Sequence, residues 1–460
     1  MDMRYSIIGL GKLGASMAAA IAKRGFQVIG VDVNKNAVDL LNNSEAPVQE
    51  TNLEKTIKEN KKRLRATLDI NEAVLDTDVS FVIVPTPSDD RGAFSLDYAR
   101  TAFQSIGKAI AIKKKYHNVV LTSTVLPGST RFGLLPLLEQ ESGKVCGRDF
   151  GLCYSPEFIA LGSVIHDFLN PDFTLVGEFD ERAGGMLEKC YEQIMENNSP
   201  CKRMTIENAE LTKIALNSFV TMKISFANML ANFCQFIPEG DVDVVTDALG
   251  ADQRIGHKYL KGAIGYGGPC FPRDNKALAY TAQTFGLKAD LAETTDYLNR
   301  SLPDKMIQSL KNLIKPGMTV AILGLAYKPD SHVVEESQGI YLARKLSEQG
   351  IRIVAYDPLA GETARGELEN QIRIYTSISE CLQQADVVMI TIPDQIFKAL
   401  KADDFRRPGL QEMIVIDFWR ILYKKLINQP HITYIPVGRC IDDNTNSNRL
   451  AKLWADTNNI

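Results

Sequence analysis

Residues 265 to 274, GYGGPCFPRD, place one cysteine, Cys270, among glycines and prolines, with an acid, Asp274, four residues further on. A thiolate attacks carbonyl carbons, so an enzyme that makes an aldehyde can hold it as a thiohemiacetal, remove a second hydride and hydrolyse the resulting thioester. The glycines favour a loop in which the backbone approaches a ligand over a buried core strand. Composition and spacing alone leave a buried structural thiol as the alternative for Cys270.

Other side chains in the sequence could support this chemistry. Lys213 could place a positive charge near a developing oxyanion, and Glu157, in the stretch YSPEF, could act as an acid or a base. Lys213 and Asn217 are four residues apart in a stretch of helical composition, so both lie on one helix face. Arg273 would favour the thiolate form of Cys270 if the two side chains were close.

The N-terminal residues have the spacing of a dinucleotide-binding turn. Gly9, Gly11 and Gly14 form G-x-G-x-x-G after a strand pattern and at the start of a helix pattern, so backbone amides and the helix N-terminus can approach a pyrophosphate. Asp32 ends the next strand pattern, 18 residues after Gly14. A carboxylate there accepts hydrogen bonds from a ribose diol and repels a 2′-phosphate, which predicts NAD in preference to NADP.

Two loops with threonines come at the carboxyl ends of later strand patterns. These are VPTP, residues 84 to 87, and STVLPG, residues 123 to 128. Open α/β sheets bind their ligands at this edge, so Thr86 and Thr124 are candidates for contact with the cofactor or with a reacting water. A cap or turn role is the alternative for each threonine.

The overall composition is that of a globular protein with more than one domain. The chain has 460 residues, is 45% hydrophobic and 23% charged, and carries a formal net charge of -4, which gives no reason to expect a nucleic-acid partner. Its eight cysteines include no C-x-x-C pair, so neither a disulfide framework nor a metal site is indicated. The uncharged apolar segment 224 to 238 is shorter than the roughly 20 residues of a membrane helix. We expect a cytoplasmic protein with no membrane partner.

The order of patterns along the chain indicates two similar domains. Residues 4 to 33 form one βαβ unit, and further strand patterns at 79 to 87, 118 to 125 and 173 to 177 predict a parallel sheet. The same order of strand, turn, helix and strand followed by an acid recurs from residue 316 onward. This second copy lacks the full glycine pattern and has Lys328 in its place, which suggests a different anionic ligand.

Residues 206 to 237 have helical composition without glycine or proline, enough for a helix that connects two lobes. Its apolar face could serve a subunit interface or pack in a core. We therefore predict an α/β protein with two doubly wound Rossmann-like domains joined by a central helical domain with a long bridging helix. The predicted boundaries are 1–205, 206–305 and 306–460.

Taken together, these motifs resemble the UDP-glucose/GDP-mannose dehydrogenase family along the chain to about residue 440. The resemblance rests on the glycine turn, Asp32, VPTP, STVLPG, SPEF, AELTKIALNSF, RIGHKYLKGAIGYGGPCFPRD and GLAYKP. It implies an NAD-dependent four-electron oxidation of the C6 alcohol of a nucleotide sugar to a carboxylate. It also implies that domain 1–205 binds NAD, that 206–305 carries catalysis and dimerisation, and that 306–460 binds the UDP-sugar.

The resemblance implies roles for individual residues. Cys270 would be the nucleophile, and the groups that act on the sugar or the hydrolytic water would be Lys213, Asn217, Glu157, Asp274 and Thr124. The cofactor contacts would be Gly9, Gly11, Lys12, Leu13, Gly14, Asp32, Lys35, Thr86, Thr124 and Arg273. The substrate contacts would be Glu157, Phe158, Lys213, Asn217, Tyr259, Leu260, Lys261, Gly262, Ala263, Gly267 and Lys328. Arg254 would reach the substrate phosphates from a neighbouring subunit, which would make the bridging helix the core of a homodimer.

The sequence departs from the family pattern at several positions. Leu161 replaces a glutamate that approaches NAD in the family, and Arg273 replaces a lysine, which keeps the charge but not the shape. His332, Val333 and Glu335 stand where the common pattern has two aspartates and an arginine near the cofactor. This last cofactor contact is not carried over to the present chain.

UDP-glucose is the expected substrate. A UDP-N-acetylhexosamine or GDP-mannose is the alternative within the family, because sugar selectivity depends on the shape of the pocket. A non-catalytic NAD-binding scaffold would fit the altered segment at 332 to 335. A two-electron dehydrogenase of a hydroxy acid or an acyl thioester would need no cysteine.

Overall fold

The structure is a computed structural model that describes residues 3–315, 317–368 and 372–457. The chain forms two compact units. Unit 1 comprises Met1–Leu216 and Tyr280–Gly286, and unit 2 comprises Asn217–Ala279 and Leu287–Ile460. Each unit has a sheet of its own.

Within the described residues, unit 1 has an eight-stranded sheet with the strand order β3-β2-β1-β4-β5-β6-β7-β8. The strands are β1 (Arg4–Ile8), β2 (Gln27–Val31), β3 (Leu64–Thr67), β4 (Val79–Val82), β5 (Asn118–Leu121), β6 (Gly151–Tyr154), β7 (Thr174–Glu178) and β8 (Cys201–Thr205). Neighbouring strands are parallel except for β6 and β7, which are antiparallel. Hydrophobic patterns locate buried strands but carry no direction, so this reversal could not be predicted from the sequence.

Helices cover both faces of this sheet. They are α1 (Lys12–Lys23), α2 (Lys35–Asn42), α3 (Leu53–Asn60), α4 (Ile70–Asp76), α5 (Asp97–Ile112), α6 (Leu135–Ser142), α7 (Val164–Leu169) and α8 (Glu181–Ile194), with a π-helix at Ser129–Leu134. Tyr5 and Ile7 of β1 pack into one core with α1, α3, α7 and α8. Ile8 faces the other core, which includes α4, α5 and α6. The alternation of these side chains makes the sheet doubly wound.

The predicted bridging helix is α9 (Ile206–Cys234), a continuous helix of 29 residues. Among the described residues it is the one helix long and apolar enough to cross a membrane by length and composition, and 44% of its most apolar window is buried. The core helix of a globular protein passes the same test. Glu210, near its start, is fully buried and hydrogen-bonded within unit 1, as expected of a core helix.

In the described residues of unit 2, six parallel strands form a second sheet in the order β11-β10-β9-β12-β13-β14. The strands are β9 (Thr319–Leu323), β10 (Arg352–Tyr356), β11 (Arg373–Tyr375), β12 (Val387–Ile390), β13 (Met413–Asp417) and β14 (Ile432–Pro436). The helices are α10 (Val242–Ala251), α11 (Phe271–Thr284), which ends within unit 1, α12 (Asp290–Leu310), α13 (Gln338–Glu348), α14 (Gly361–Glu367), α15 (Ile378–Leu382), α16 (Gln395–Lys398), α17 (Tyr423–Leu426) and α18 (Asp443–Thr457), with a 3-10 helix at Ala402–Phe405. The predicted pair of Rossmann-like domains with central helices is confirmed.

The first turn of each sheet is built in the same way. Gly9 follows β1 and Gly324 follows β9, both with positive φ, at 103° and 111°. The acid after the next strand accepts a backbone N–H from this turn: Leu10 donates to Asp32 at 2.6 Å, and Leu325 donates to Asp357 at 2.7 Å. Both turns are therefore fixed at the carboxyl edge of their sheet by a hydrogen bond to the acid after the next strand.

Candidate active site

In the glycine turn of unit 1, Gly9 and Gly14 are packed against backbone atoms, whereas Gly11 has open space beside it. A Cβ on Gly9 would lie 2.0 Å from the carbonyl oxygen of Ile83, and one on Gly14 would lie 1.9 Å from the carbonyl oxygen of Gly9. A Cβ on Gly11 would have no neighbour within 4 Å. Gly9 and Gly14 therefore allow close packing of strand, turn and helix, whereas Gly11 leaves room for a ligand to approach the backbone.

This difference predicts that alanine lowers stability at position 14 and weakens NAD binding at position 11. Gly14→Ala should lower the free energy of unfolding by about 3 kcal/mol, because its Cβ would overlap a carbonyl oxygen. Gly11→Ala should leave stability within about 1 kcal/mol and weaken NAD binding by about 10-fold, or about 1.4 kcal/mol. Denaturant unfolding and NAD titration by calorimetry would measure both. Unchanged NAD affinity in Gly11→Ala would contradict the placement of the cofactor.

The predicted cofactor residues around the turn lie at the carboxyl edge of the sheet. Asp32 is half-buried, and its carboxylate accepts hydrogen bonds from the N–H groups of Leu10 and Asn34, at 2.6 and 2.8 Å. Lys12 and Leu13 begin α1, and Lys35 begins α2. Lys35 is exposed and pairs with Asp39. Contact of these side chains with the cofactor stays a prediction.

The two threonine loops contact each other. The hydroxyl of Thr86 donates to the carbonyl of Thr124 at 2.8 Å. The hydroxyl of Ser123 donates to the carbonyl of Val84 at 2.7 Å and accepts from the N–H of the same residue at 2.9 Å. The hydroxyl hydrogen of Thr86 is used within the protein, so its structural role is established and its role towards a ligand stays a prediction.

Glu157, Phe158 and Lys213 form a cluster within unit 1. The ammonium of the buried Lys213 donates to the backbone carbonyl of Glu157 at 2.5 Å and lies 4.5 Å from the ring centroid of Phe158. Burial raises the pKa of the Glu157 carboxyl to about 7, although the positive charge of Lys213 opposes the shift. A carboxyl with this pKa can exchange a proton near neutral pH.

A further carboxyl, Glu210, was not identified from the sequence. Its oxygens accept hydrogen bonds from the N–H groups of Gly128 and Thr130, at 2.5 and 2.9 Å. Burial raises its pKa to about 7, and the hydrogen bonds from this loop oppose the shift. Glu210 thus joins the STVLPG loop to the helix that carries Lys213. An acid in an apolar helix, three residues before a lysine, was the available signal.

Cys270 immediately precedes α11 in unit 2. All eight cysteines lie in the described part of the chain, and Cys270 alone among them is exposed. Its carbonyl accepts the first helical hydrogen bond, from the N–H of Asp274, at 2.9 Å. The partial positive charge of a helix N-terminus favours a thiolate. The structure therefore rejects a buried structural thiol at this position.

Asp274 is fully buried one turn into α11. Its carboxylate accepts hydrogen bonds from the side-chain amide of Asn217 at 2.6 Å and from Nε of Arg273 at 3.3 Å. The side chain of Arg273 is thus directed to Asp274. Asn217 of α9 and Asp274 of α11, which are distant in sequence, are thus brought together as one hydrogen-bonded pair.

The segment YLKGA, residues 259 to 263, packs its backbone against α9. A Cβ on Gly262 would lie 2.4 Å from the carbonyl oxygen of Ala227. The N–H of Ala263 donates to the side-chain oxygen of Asn228 at 2.8 Å. These contacts hold the segment in a defined position.

The side chains of this region differ in exposure. Leu260 is buried, whereas Tyr259 and Lys261 are exposed, and Tyr259 has a positive φ of 62°. Arg254 is also exposed and pairs with its own neighbour Asp252 at 2.5 Å. Exposed ion pairs contribute little free energy, so Arg254 could exchange this partner for a phosphate. Its contact with the substrate of a neighbouring subunit stays a prediction.

The segment SHVVEES, residues 331 to 337, contains the departures from the family pattern. It contacts the loop GYGGPC, residues 265 to 270, which we call the cysteine loop. The N–H of Gly268 donates to the carbonyl of Glu335 at 2.9 Å. A Cβ on Gly267 would lie 2.3 Å from the carbonyl oxygen of Glu336. Both contacts use the backbone of the segment, so they do not depend on which side chains it carries.

Lys328 lies in the loop that follows β9. Its ammonium is 5.8 Å from the ring centroid of Tyr327, and the residue is half-buried. The loop is at the carboxyl edge of the second sheet, where a lysine can bind an anionic ligand. Contact with substrate stays a prediction.

The glycine turn at the carboxyl edge of the first sheet, with Asp32 after β2, is that of a dinucleotide-binding Rossmann domain. Three family models match most of the chain. Residues 3–195 match the NAD binding domain, 207–301 the central domain and 321–424 the UDP binding domain of one family. The chain belongs to the UDP-glucose/GDP-mannose dehydrogenase family.

Relatives with known names agree with this assignment. UDP-glucose 6-dehydrogenase AglM of Haloferax volcanii is 36% identical over 427 residues, which cover 92% of this chain and 98% of that protein. GDP-mannose 6-dehydrogenase of Pseudomonas aeruginosa is 34% identical over 412 residues, covering 86% and 92%. The structure of a UDP-glucose dehydrogenase from Pyrobaculum islandicum superposes with a TM-score of 0.85 at 31% identity and covers 96% of this chain and 98% of that one.

Membership of this family establishes the general activity. The protein is an oxidoreductase with NAD as its cofactor, and its substrate is a nucleotide sugar oxidised at C6.

Proposed function

We propose that the protein oxidises UDP-glucose to UDP-glucuronate in two successive hydride transfers, with Cys270 as the covalent nucleophile. The observation that carries this proposal is the exposed cysteine at the N-terminus of α11, one turn before the buried Asp274 that Asn217 holds. A two-electron dehydrogenase needs no such thiol. A scaffold would need neither the thiol nor the buried polar pair, and the altered segment that favoured a scaffold contacts the cysteine loop through its backbone.

UDP-glucose is preferred over other nucleotide sugars for two reasons. The C-terminal family model is described as a UDP binding domain, and the relatives of higher identity include UDP-glucose 6-dehydrogenase AglM. The GDP-mannose enzyme of Pseudomonas aeruginosa is nearly as similar, so GDP-mannose is the second candidate, followed by a UDP-N-acetylhexosamine.

Two molecules of NAD, each held in turn at Gly9, Gly11 and Gly14, would supply the hydride acceptors for the two oxidations. In the first oxidation the C6 alcohol loses a hydride and a proton and becomes an aldehyde. The Cys270 thiolate then adds to the aldehyde carbon and forms a thiohemiacetal. Loss of a second hydride and the hydroxyl proton leaves a thioester, and water cleaves it to the carboxylate and regenerates the thiolate.

The remaining proposed catalytic groups divide this work. The ammonium of Lys213 stabilises negative charge on the oxygen bound to C6. Glu157 acts as the base towards the hydrolytic water, and Thr124 contacts that water. Asn217 and Asp274 form a fixed hydrogen-bonded pair that contacts the sugar end of the substrate.

The proposed role of Glu157 has a pH signature. Because its pKa is raised to about 7, the carboxyl is protonated below that pH and ionised above it. Only the ionised form accepts a proton, so kcat/KM should rise with pH through about 7 and then level. Glu157→Gln should lower kcat by about 10³-fold. It should also abolish this rise of kcat/KM with pH, the limb near pH 7. The exposed Glu59 supplies a control, Glu59→Gln, whose pH profile should match the wild type. A limb near pH 7 that persists in Glu157→Gln would exclude Glu157 as its source.

Binding contacts are proposed for further residues. For the cofactor these are Gly9, Gly11, Lys12, Leu13, Gly14, Asp32, Lys35, Thr86, Thr124 and Arg273. For the nucleotide sugar these are Glu157, Phe158, Lys213, Asn217, Arg254, Tyr259, Leu260, Lys261, Gly262, Ala263, Gly267 and Lys328. The division into functional segments 1–205, 206–305 and 306–460 is likewise proposed, and limited proteolysis with mass spectrometry would test the boundaries.

A homodimer is proposed through α9. Phe219, Phe226, Met229 and Phe233 on this helix are 43 to 59% exposed. Their spacing of seven, three and four residues matches the apolar positions of a heptad, the pattern by which two helices pack together. A second copy of the chain would cover this stripe, and light scattering during size-exclusion chromatography would give the mass. We also propose a cytoplasmic location, which fits cysteines without the spacing of a disulfide framework and can be tested by cell fractionation.

A panel of nucleotide sugars tests the choice of substrate. Purified protein is incubated with NAD and either UDP-glucose, GDP-mannose or a UDP-N-acetylhexosamine, and kcat/KM is measured for each. The proposal predicts the highest value for UDP-glucose. A higher value for another sugar would replace the substrate but keep the reaction, and no NADH with any sugar would support a scaffold.

A further inference from the structure

In unit 2, the cysteine loop packs against the residues that follow β9 of the second sheet. Its backbone contacts the segment 327 to 338 at successive residues. The side-chain amide of Gln338 donates to the carbonyl of Tyr266 at 3.1 Å, and the carbonyl of Glu335 accepts from the N–H of Gly268 at 2.9 Å. The residues just before Cys270 are therefore fixed by the C-terminal half of the unit.

The side chain of Tyr327 packs against this loop. A Cβ on Gly268 would lie 2.7 Å from two atoms of the Tyr327 ring, so the ring lies directly against the backbone of this glycine. Gly268 has a positive φ of 82°, which other residues adopt only with strain. A residue with a side chain would therefore be excluded at 268 both by its backbone conformation and by the Tyr327 ring.

A backbone hydrogen bond fixes the position of Tyr327. Its N–H donates to the carbonyl of Val333 at 3.0 Å, which closes the loop that follows β9. Burial, with the nearby thiol of Cys270 as the second cause, raises the pKa of the Tyr327 hydroxyl to about 12, so the ring stays neutral at physiological pH. The neighbouring residue along the chain is Lys328, for which we propose contact with the substrate.

We propose that Tyr327 is a positioning residue for Cys270: its ring presses on the backbone of Gly268 and thereby holds the thiol at the N-terminus of α11. The inference rests on the proposed nucleophilic role of Cys270. It assigns a function to the aromatic residue of GLAYKP itself. Because Lys328 is adjacent in sequence, the same short loop of the UDP-binding segment would contact the nucleotide and position the nucleophile.

The test compares Tyr327→Ala with Tyr327→Phe. Loss of the ring should let the loop move, and a displacement of about 1 Å at a reacting atom costs about 10²-fold, so kcat should fall by that factor in Tyr327→Ala. The KM for NAD should not change. Tyr327→Phe keeps the ring and should stay within about threefold of the wild type. Tyr341→Ala on α13 removes a half-buried tyrosine elsewhere in the unit and serves as the matched control.

Alkylation of Cys270 by iodoacetamide gives a readout that needs no turnover. The pH at which the rate is half-maximal reports the thiol pKa, and it should rise by about one unit in Tyr327→Ala because the thiol leaves the helix N-terminus. It should not move in Tyr327→Phe or Tyr341→Ala. Should Tyr327→Ala fail to fold, Tyr327→Leu also removes the ring but leaves a smaller cavity, and it should raise the midpoint in the same direction.

Two results would overturn the proposal. One is a kcat and an alkylation midpoint in Tyr327→Ala equal to those of the wild type. The other is an equal loss in Tyr327→Phe and Tyr327→Ala, which would assign the effect to the hydroxyl and not to the ring. Failure of the proposed reaction appears differently, because wild-type protein would then produce no NADH while the alkylation comparison remained informative.

Discussion

Cys270→Ala should lower kcat by about 10⁴-fold or more while the protein still binds NAD. The thiol forms both covalent intermediates of the proposed mechanism. Without it neither intermediate can form, so the whole covalent pathway is lost. The expected NAD contacts at the glycine turn and Asp32 are untouched by this substitution, so cofactor affinity should remain within about twofold of the wild type. Stopped-flow measurement of NADH and calorimetric titration of NAD would separate the two effects.

The half-buried Cys201 supplies the matched control for this substitution. Cys201→Ala removes a thiol whose pKa is raised by burial, so it is a poor nucleophile at neutral pH. Its turnover should equal that of the wild type. Substantial turnover to the acid in Cys270→Ala, above about one tenth of the wild-type kcat, would remove the thioester mechanism.

Lys213→Met should lower kcat by about 10³-fold, because it removes the positive charge that we place beside the developing oxyanion. The methionine side chain keeps much of the apolar contact with Phe158, over whose ring the ammonium lies at 4.5 Å. Lys213→Arg keeps the charge but changes the shape of its donor group, so a partial loss of about 10-fold is expected.

The same substitution should change the pH dependence of the residual activity. The charge of Lys213 opposes the rise in the pKa of Glu157, so without it the pKa of Glu157 should rise further above 7. The limb of kcat/KM should therefore move to higher pH in Lys213→Met. A kcat within 10-fold of the wild type, with an unmoved limb, would show that Lys213 supports structure only.

Local patterns predicted the elements that depend on short-range sequence. The glycine spacing and Asp32 identified the first βαβ unit and its cofactor edge, and the helical composition of 206 to 237 located α9, which ends at Cys234. The repeat of strand, turn, helix and acid predicted the second sheet. These features follow from periodicity and turn chemistry over fewer than about 35 residues.

The contacts that bring distant residues together could not be predicted in this way. Nothing in the spacing shows that Asn217 donates to Asp274, or that Glu210 accepts from the loop at Gly128. The direction of β7 and the contact of Tyr327 with Gly268 likewise depend on how the chain packs. Resemblance to a family named candidate residues, but it gave no partner for any of them.

The direction of the Arg273 side chain could not be predicted from the sequence either. Its position next to Asp274 in sequence left open whether it faces the thiol, the cofactor or the acid. The structure directs its Nε to the carboxylate of Asp274 at 3.3 Å.

The most direct test of the central claim is the number of NADH molecules formed per molecule of acid. Purified protein is given a limiting amount of UDP-glucose with excess NAD, NADH is measured by absorbance, and the uronic acid is quantified by mass spectrometry. The four-electron mechanism through Cys270 predicts two NADH for each UDP-glucuronate, with no free aldehyde. One NADH for each product, with the aldehyde released, would contradict it.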